Sequence, residues 1–340
     1  MATQDMHTTP PPYMSRFSER ARRLSPTLRA VALAYIADIV LFVIGGLHTS
    51  SFLQFSNITS LLLLSSFVGI AAAGQTFVIL IGGIDLSIPW VLNSLAIMLT
   101  TRSLGQDGNV WWSVPLVLFV GLAIGTVNAL GIVLFEVPAV VMTLGMNGIM
   151  QGATLGLTSG FTCPQCNSYV PPSVQNAFTG NLFPSVPNGL LVWGVIIIVV
   201  GLVLSFTTLG RRIYALGNNV MAAYLAGVNT RQVTIIVYAL SGMFAAIAGI
   251  ALAAFGSQAT LAMGDPYLFA SISAVVIGGA SIMGGRGMYW GTVAGAIFIT
   301  VLPAILLQYQ PPNPDAVRKI ADGVVILVAL LLYGREARET

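Results

Sequence analysis

The chain reads as long apolar runs separated by short polar interruptions. The runs fall at 28–47, 58–81, 84–101, 114–135, 138–158, 189–209, 233–255, 268–284, 288–309 and 318–333. A helix of about 20 apolar residues spans a bilayer. The runs are continuous rather than alternating, which argues against membrane strands. The expected fold is an all-α polytopic integral membrane protein of about ten transmembrane helices. Several runs are short, so tilted, broken or re-entrant segments are expected among them.

The polar interruptions predict the domain plan. Residues 1–27 are polar, Pro-rich at Pro10-Pro11-Pro12, then basic, and read as a disordered cytoplasmic tail. A signal peptide is disfavoured, because the run that follows is too long and no small-residue cleavage pattern ends it. Residues 28–333 form the membrane domain and 334–340 a second cytoplasmic tail. With the N-terminus inside and every run spanning, Arg16, Arg20, Arg22, Arg23, Arg29, Arg211, Arg212, Arg231, Arg286, Arg335 and Arg338 lie inside. Arg102, Arg318 and Lys319 are left outside. That bias fits the positive-inside rule. Both termini and the 210–232 loop are then cytoplasmic, and the 159–188 loop faces the other side.

Composition removes the soluble alternatives. The chain is 56% hydrophobic and 7% charged, whereas a soluble domain carries about a quarter charged residues. A net charge of +3 does not suggest nucleic acid, because the basic residues sit at the ends of apolar runs. Many of the glycines lie inside those runs, where small residues let helix backbones approach. Three ladders, Gly152–Gly156–Gly160, Gly121–Gly125 and Gly291–Gly295, are read as helix packing.

Catalytic patterns are missing. Lys319 is the only lysine and no Gly-rich loop precedes it, so the chain has no phosphate loop and cannot hydrolyse ATP alone. His7 and His48 are the only histidines, and no metal site is expected. Cys163 and Cys166 form a Cys-x-x-Cys pair in the outer loop, without the further ligands a structural zinc requires. A structural disulfide is the preferred expectation, with two free thiols as the alternative.

What remains is polar chemistry inside apolar runs. Gly82-Gly83-Ile84-Asp85-Leu86-Ser87 interrupts a helix and places an acid at or near membrane depth. It reads either as a pathway lining or gate hinge, or as a tight hairpin with Asp85 capping the next helix. Ile79-Leu-Ile-Gly-Gly-Ile-Asp-Leu86 resembles Val275-Val-Ile-Gly-Gly-Ala-Ser-Ile282, which suggests an internal repeat containing Gly278 and Gly279. Gln75, Asn93, Asn128 and Thr143 complete the candidate pathway set. Uncharged amides and hydroxyls suit a polyhydroxylated solute, and interhelical hydrogen bonding is the alternative use of each.

The stretch Gly210 to Arg231 is the polar island between the two apolar halves. Gly210 is expected to end the sixth run, with Arg211 and Arg212 at the lipid surface. Gly217-Asn218-Asn219 reads as a turn. Asn219 would then cap a short helix from Val220 to Ala226, ended by Gly227. Met221, Tyr224 and Leu225 would be offered to a protein partner, or would lie on lipid.

These residues resemble a known family. Gly82-Gly-Ile-Asp-Leu-Ser87, Val137-Pro-Ala-Val-Val-Met-Thr-Leu-Gly145, Gly210-Arg-Arg-Ile-Tyr-Ala-Leu-Gly-Asn-Asn219, Ala222-Ala223 with Leu225-Ala-Gly-Val228, and Gly278-Gly279 through Gly284-Gly-Arg-Gly287 are similar to permease subunits of ribose-type sugar ABC importers. The resemblance runs from about Asn57 to Tyr333. It implies a non-catalytic subunit of the bacterial inner membrane that pairs with a second permease, copy or relative. It also implies a cytoplasmic ATPase partner and a periplasmic sugar-binding protein. ATP and Mg would belong to the ATPase, and this chain would bind no cofactor. The coupling segment would comprise Arg211, Arg212, Tyr214, Gly217, Asn218, Asn219, Met221, Ala222, Ala223, Leu225 and Gly227. Such permeases usually carry an acid before the paired alanines and a base after them. Met221 and Tyr224 stand there instead, so an apolar contact is expected. Ile88-Pro89-Trp90 likewise replaces a small Val-Gly pair after Ser87. The rival function is a proton-coupled carrier using Asp38, Asp85 or Asp322, and a further rival is a passive channel.

Overall fold

The computed structural model describes residues 26–160 and 169–309, together with short stretches between 312 and 327. The terminal tails, Cys163, Cys166 and Asp322 lie outside the described residues. Twelve helices follow in order: α1 (Pro26–His48), α2 (Phe55–Leu80), α3 (Ile88–Ser103), α4 (Val110–Leu134), α5 (Ala139–Thr158), α6 (Pro172–Thr179), α7 (Asn188–Phe206), α8 (Thr208–Asn218), α9 (Val220–Leu225), α10 (Thr230–Gly256), α11 (Tyr267–Ile277) and α12 (Tyr289–Leu307). A two-stranded antiparallel hairpin, β1 (Asn181–Phe183) with β2 (Val186–Pro187), lies between α6 and α7.

Among the described residues, seven helices are long and apolar enough to cross a membrane: α1, α2, α4, α5, α7, α10 and α12. The third, eighth and tenth apolar runs are the shortest. The third begins helically only at Ile88 and gives the 16-residue α3. The eighth gives the 11-residue α11, and its remaining residues form an irregular loop. Most of the tenth run lies outside the described residues.

The second half of α2 is the centre of the bundle, buried from Ser65 to Leu80. Its small residues let neighbours close in. A methyl group on Gly69 would crowd the Trp193 ring of α7, and one on Gly74 would crowd the Ser241 backbone of α10. Helix association in lipid rests on such close packing and on interhelical hydrogen bonds rather than on water exclusion. The Gly121–Gly125 ladder of α4 fits Gly242 and Tyr238 of α10, and Gly291–Gly295 of α12 fits Gly278 and Ala274 beside α11. Both ladders therefore pack as the sequence suggests. The Gly152–Gly156–Gly160 ladder does not: among the described residues nothing lies within 4 Å of a methyl group placed on any of its glycines.

α10 is the longest strut, 27 residues, or about 40 Å at helical rise. Asn229 caps its start by accepting a hydrogen bond from Gln232 N (3.0 Å). Its far end, Ser257, is tied to the α6 segment. Val170 N donates to Ser257 O (3.0 Å) and Gln175 Nε2 to Ser257 Oγ (2.6 Å). The α6–hairpin layer and the α8–α9 layer thus occupy opposite ends of the bundle.

Candidate functional site

Three segments distant in sequence meet at the α8–α9 end. The first is the stop after α2, where Gly82 N donates to Ile79 O (2.9 Å) and Gly83 N to Val78 O (3.0 Å). The second is the stop after α11, where Gly279 N donates to Val276 O (2.9 Å) and Ala280 N to Val275 O (3.2 Å). Both are glycine C-caps with the cap residue in the left-handed region, φ 80° at Gly82 and 89° at Gly279. The internal repeat is thus a repeated helix stop. Its structural register pairs Gly82 with Gly279, one residue away from the sequence alignment, which sets Gly82 against Gly278.

The loop that follows the second stop touches the first, because Gly285 N donates to Leu80 O (2.9 Å). The third segment, α8, seats on both. A methyl group on Gly217 would overlap the Leu80 carbonyl oxygen and crowd Gly285 N. Tyr214 OH donates to Gly287 O (2.8 Å), and Asn218 Nδ2 donates to Tyr214 O (2.8 Å) and Gly285 O (3.4 Å). These are mostly contacts to backbone, which cannot swing aside as a side chain can.

Two expectations about this stretch are corrected. Gly210 does not end a transmembrane helix. α7 ends at Phe206, Thr207 caps α8 by accepting from Gly210 N (3.2 Å), and Gly210 packs against the Leu204 carbonyl. Gly217-Asn218-Asn219 is not a turn throughout. The helix continues to Asn218, and only Asn219 turns extended. Packing of α8 on the first glycine stop and the loop after the second overrides the local turn preference. The short helix is where it was expected: Asn219 Oδ1 accepts from Ala222 N (2.9 Å) and α9 runs Val220–Leu225. Ala223 is buried, whereas Met221, Tyr224 and Leu225 are 66%, 65% and 77% exposed. Arg211, Arg212, Ala222 and Gly227 are also exposed.

Asp85 lies inside the protein, 1% exposed, rather than on an open face. Ser87 donates to Asp85 Oδ1 from N (2.9 Å) and Oγ (2.6 Å), and Ser241 Oγ of α10 donates to Oδ2 (2.6 Å). Asn128 Nδ2 of α4 donates to Ser87 Oγ (2.9 Å). Thr143 of α5 closes the cluster: its Oγ1 accepts from Leu86 N (3.0 Å) and lies 3.3 Å from Ile84 O. Asp85 therefore holds Ser87, itself the residue before α3, and pins α10 to the break. Ser241 gave no distinguishing signal in the sequence, where it is one hydroxyl in an apolar run.

Replacing Asp85 by Ala strands the Ser87 N–H and two hydroxyls. Each buried unsatisfied group costs about 1–3 kcal/mol. Asp85→Ala should therefore unfold several degrees earlier than the parent in detergent, followed by tryptophan fluorescence. Asp85→Asn, which keeps one acceptor oxygen, should lose less. Unchanged melting of Asp85→Ala would remove the cluster from the account of stability.

The remaining polar candidates divide. Asn93 braces a loop: with its nitrogen turned toward Thr260 O (2.8 Å), its oxygen accepts from Ala262 N (3.2 Å). Gln75 is fully buried in α2, and its amide has no hydrogen-bond partner among the described residues. Asp38 is buried on α1 and likewise unpartnered among them.

On α5, Thr143, Asn147 and Thr154 turn toward the α3 side, where Asn147 Oδ1 accepts from Trp90 N (3.4 Å) and Thr154 shares a hydrogen bond with Ser94 (2.6 Å). The opposite face carries Val141, Gly145, Gly148, Gly152 and Gly156, all exposed. It bears no charge, and among the described residues open space surrounds its glycines.

A profile of the family described as "Branched-chain amino acid transport system / permease component" matches residues 57–330. The ribose import permease protein RbsC of Haemophilus influenzae is 32% identical over 298 residues, covering 88% of this chain and 91% of that protein. The RbsC of Escherichia coli K12 is 33% identical over 308 residues, covering 88% and 92%. The autoinducer 2 import system permease protein LsrC of Escherichia coli O9:H4 is 30% identical over 308 residues, covering 89% and 86%. None of these names describes a proton-coupled carrier. No solved structure matches.

Proposed function

Because the chain belongs to the branched-chain amino acid transport system permease component family, we propose that it is one membrane half of an ATP-driven importer for a small, uncharged, sugar-like solute. The arginine bias puts the α8–α9 end in the cytoplasm. There an ATPase subunit docks on α9, since this chain has no phosphate loop of its own. A periplasmic binding protein delivers the solute at the α6–hairpin end. A second permease, a copy or a relative, packs against the open α5 face, and the solute passes between the two. The absence of charge on that face suits a sugar better than a zwitterionic amino acid, which agrees with the names of the relatives that cover most of this chain.

The observation that carries this reading is the seating of Gly217 and Asn218 against the first glycine stop and the loop after the second. It supplies a mechanical route from the ATPase to the pathway. A push on α9 reaches α8, then Leu80 and Gly285, then the Gly82–Ser87 break. Thr143 hydrogen-bonds that break from the back of α5. The exposed face of α5 therefore moves when the ATPase closes, and no chemistry is asked of this subunit.

Uptake of labelled ribose by cells carrying the permease, its ATPase and its binding protein tests the energy source. Uptake should survive a proton ionophore and fail on ATP depletion. The reverse result would sink the importer in favour of a carrier driven through Asp38, Asp85 or Asp322.

A further inference from the structure

Between Glu136 and Asp265 the chain contains no acidic residue, and its only basic residues there are Arg211, Arg212 and Arg231. All three are exposed, Arg211 and Arg212 near the start of α8 and Arg231 in the first turn of α10, the one of them that lines a cleft beside α9. A cleft of about 450 Å³ opens between α9 and the start of α10, lined by Tyr224, Gly227, Val228, Asn229, Thr230 and Arg231. Within this cleft the Asn229 side chain is already committed to capping α10. The Arg231 guanidinium is the charged group left to meet a ligand.

The surface is therefore polarised. Its centre is the uncharged ridge of Met221, Tyr224 and Leu225, and its edge carries the exposed Arg231. Such a surface is complementary to a partner whose apolar groove is flanked by carboxylates. Resting on the docking of an ATPase at α9, we propose that the ATPase places an acidic side chain in the Tyr224–Arg231 cleft. The permease thus supplies the cation of this ionic contact and the ATPase the anion. The charge pair fixes the register in which α9 enters the groove, and so which way a closing ATPase pushes α8. Lipid headgroups offer the competing source of anions, and the test separates them.

Binding of the separately purified cognate ATPase, identified by its phosphate-binding loop, is measured on the full-length permease in nanodiscs of neutral lipid and again with anionic lipid. Arg231→Glu should weaken binding about tenfold or more in both, as expected when one partner of a docked charge pair is reversed. Arg231→Lys should stay within a few fold, and high salt should erase much of the difference. Reversal of the matching acid in the ATPase should restore binding to Arg231→Glu. Ala222→Glu, on the ridge itself, reports on docking independently. If Ala222→Glu abolishes binding and Arg231→Glu does not change it, the ionic contact is wrong and docking at α9 stands. If neither has an effect, docking at α9 falls as well. A loss confined to anionic lipid would assign Arg231 to headgroups and overturn the proposal. Arg231 is exposed, so melting of the variants should match the parent and keep these outcomes readable.

Discussion

Gly217→Val should reduce solute uptake by at least about 100-fold while leaving the ATPase subunit bound. A factor of 100 corresponds to about 2.7 kcal/mol, and inserting atoms into a close-packed contact costs about 1–3 kcal/mol or more. The upper end applies, because the side chain would overlap the Leu80 carbonyl and Gly285 N, which are backbone. Relief requires α8 to lift from the first helix stop and the loop after the second. The α9 ridge is untouched by the change and keeps its exposed Met221, Tyr224 and Leu225. Binding of the ATPase and its hydrolysis should therefore persist, uncoupled from transport. Measuring uptake, ATPase association and stimulated hydrolysis on the same membranes separates the outcomes. Uptake near the parental level would mean that force does not pass through Gly217.

Gly242→Val should prevent accumulation of folded permease. A side chain there would overlap the Gly121 carbonyl and crowd Gly125, where α10 and α4 come closest. The cost extends along the interface, because Gly125 in turn has no room beside the Tyr238 carbonyl. Separating the two helices would also draw Ser241 from Asp85 and Asn128 from Ser87. Overpacking plus lost buried hydrogen bonds places the penalty at about 3–5 kcal/mol, a large share of the stability of most folded chains. Gly156→Val is the contrasting case. Its glycine faces open space among the described residues, so the fold should melt as the parent does. If a second permease packs on that face, pairing and uptake should fall together. Normal melting of Gly242→Val would contradict the close approach of α4 and α10. Normal uptake by Gly156→Val would move the pathway away from α5.

Much of this architecture was legible before any coordinates. Continuous apolar runs have one economical solution in lipid, the helix, since every backbone N–H and C=O must be paired within the segment. The short third and eighth runs are visible as shortfalls of apolar length, and the glycine pairs at Gly82-Gly83 and Gly278-Gly279 mark where α2 and α11 stop. The α9 cap at Asn219 was readable for the same reason: it depends on residues a few positions apart.

The structure decided what depends on rotation and long-range approach. The helices are apolar all round, so the sequence marks no face of α5 as open or of α2 as central. Gly121 and Gly156 stand in the same kind of ladder, yet one is wedged against α10 and the other faces no neighbour among the described residues. Gly217 looks like turn chemistry until Leu80 and Gly285 are placed against it. The sequence left Asp85 open between a pathway acid and a hairpin cap, and its bond from Ser241, 156 positions away, comes only with the placement of α10. The sequence by itself determined a polytopic helical chain, its helix stops and the short helix after Asn219, because those follow from local backbone pairing. Which of its glycines seal the bundle, which leave a face open and which seat α8 on the helix stop was left to the tertiary structure, because a glycine's role is set by whatever backbone comes to lie against it.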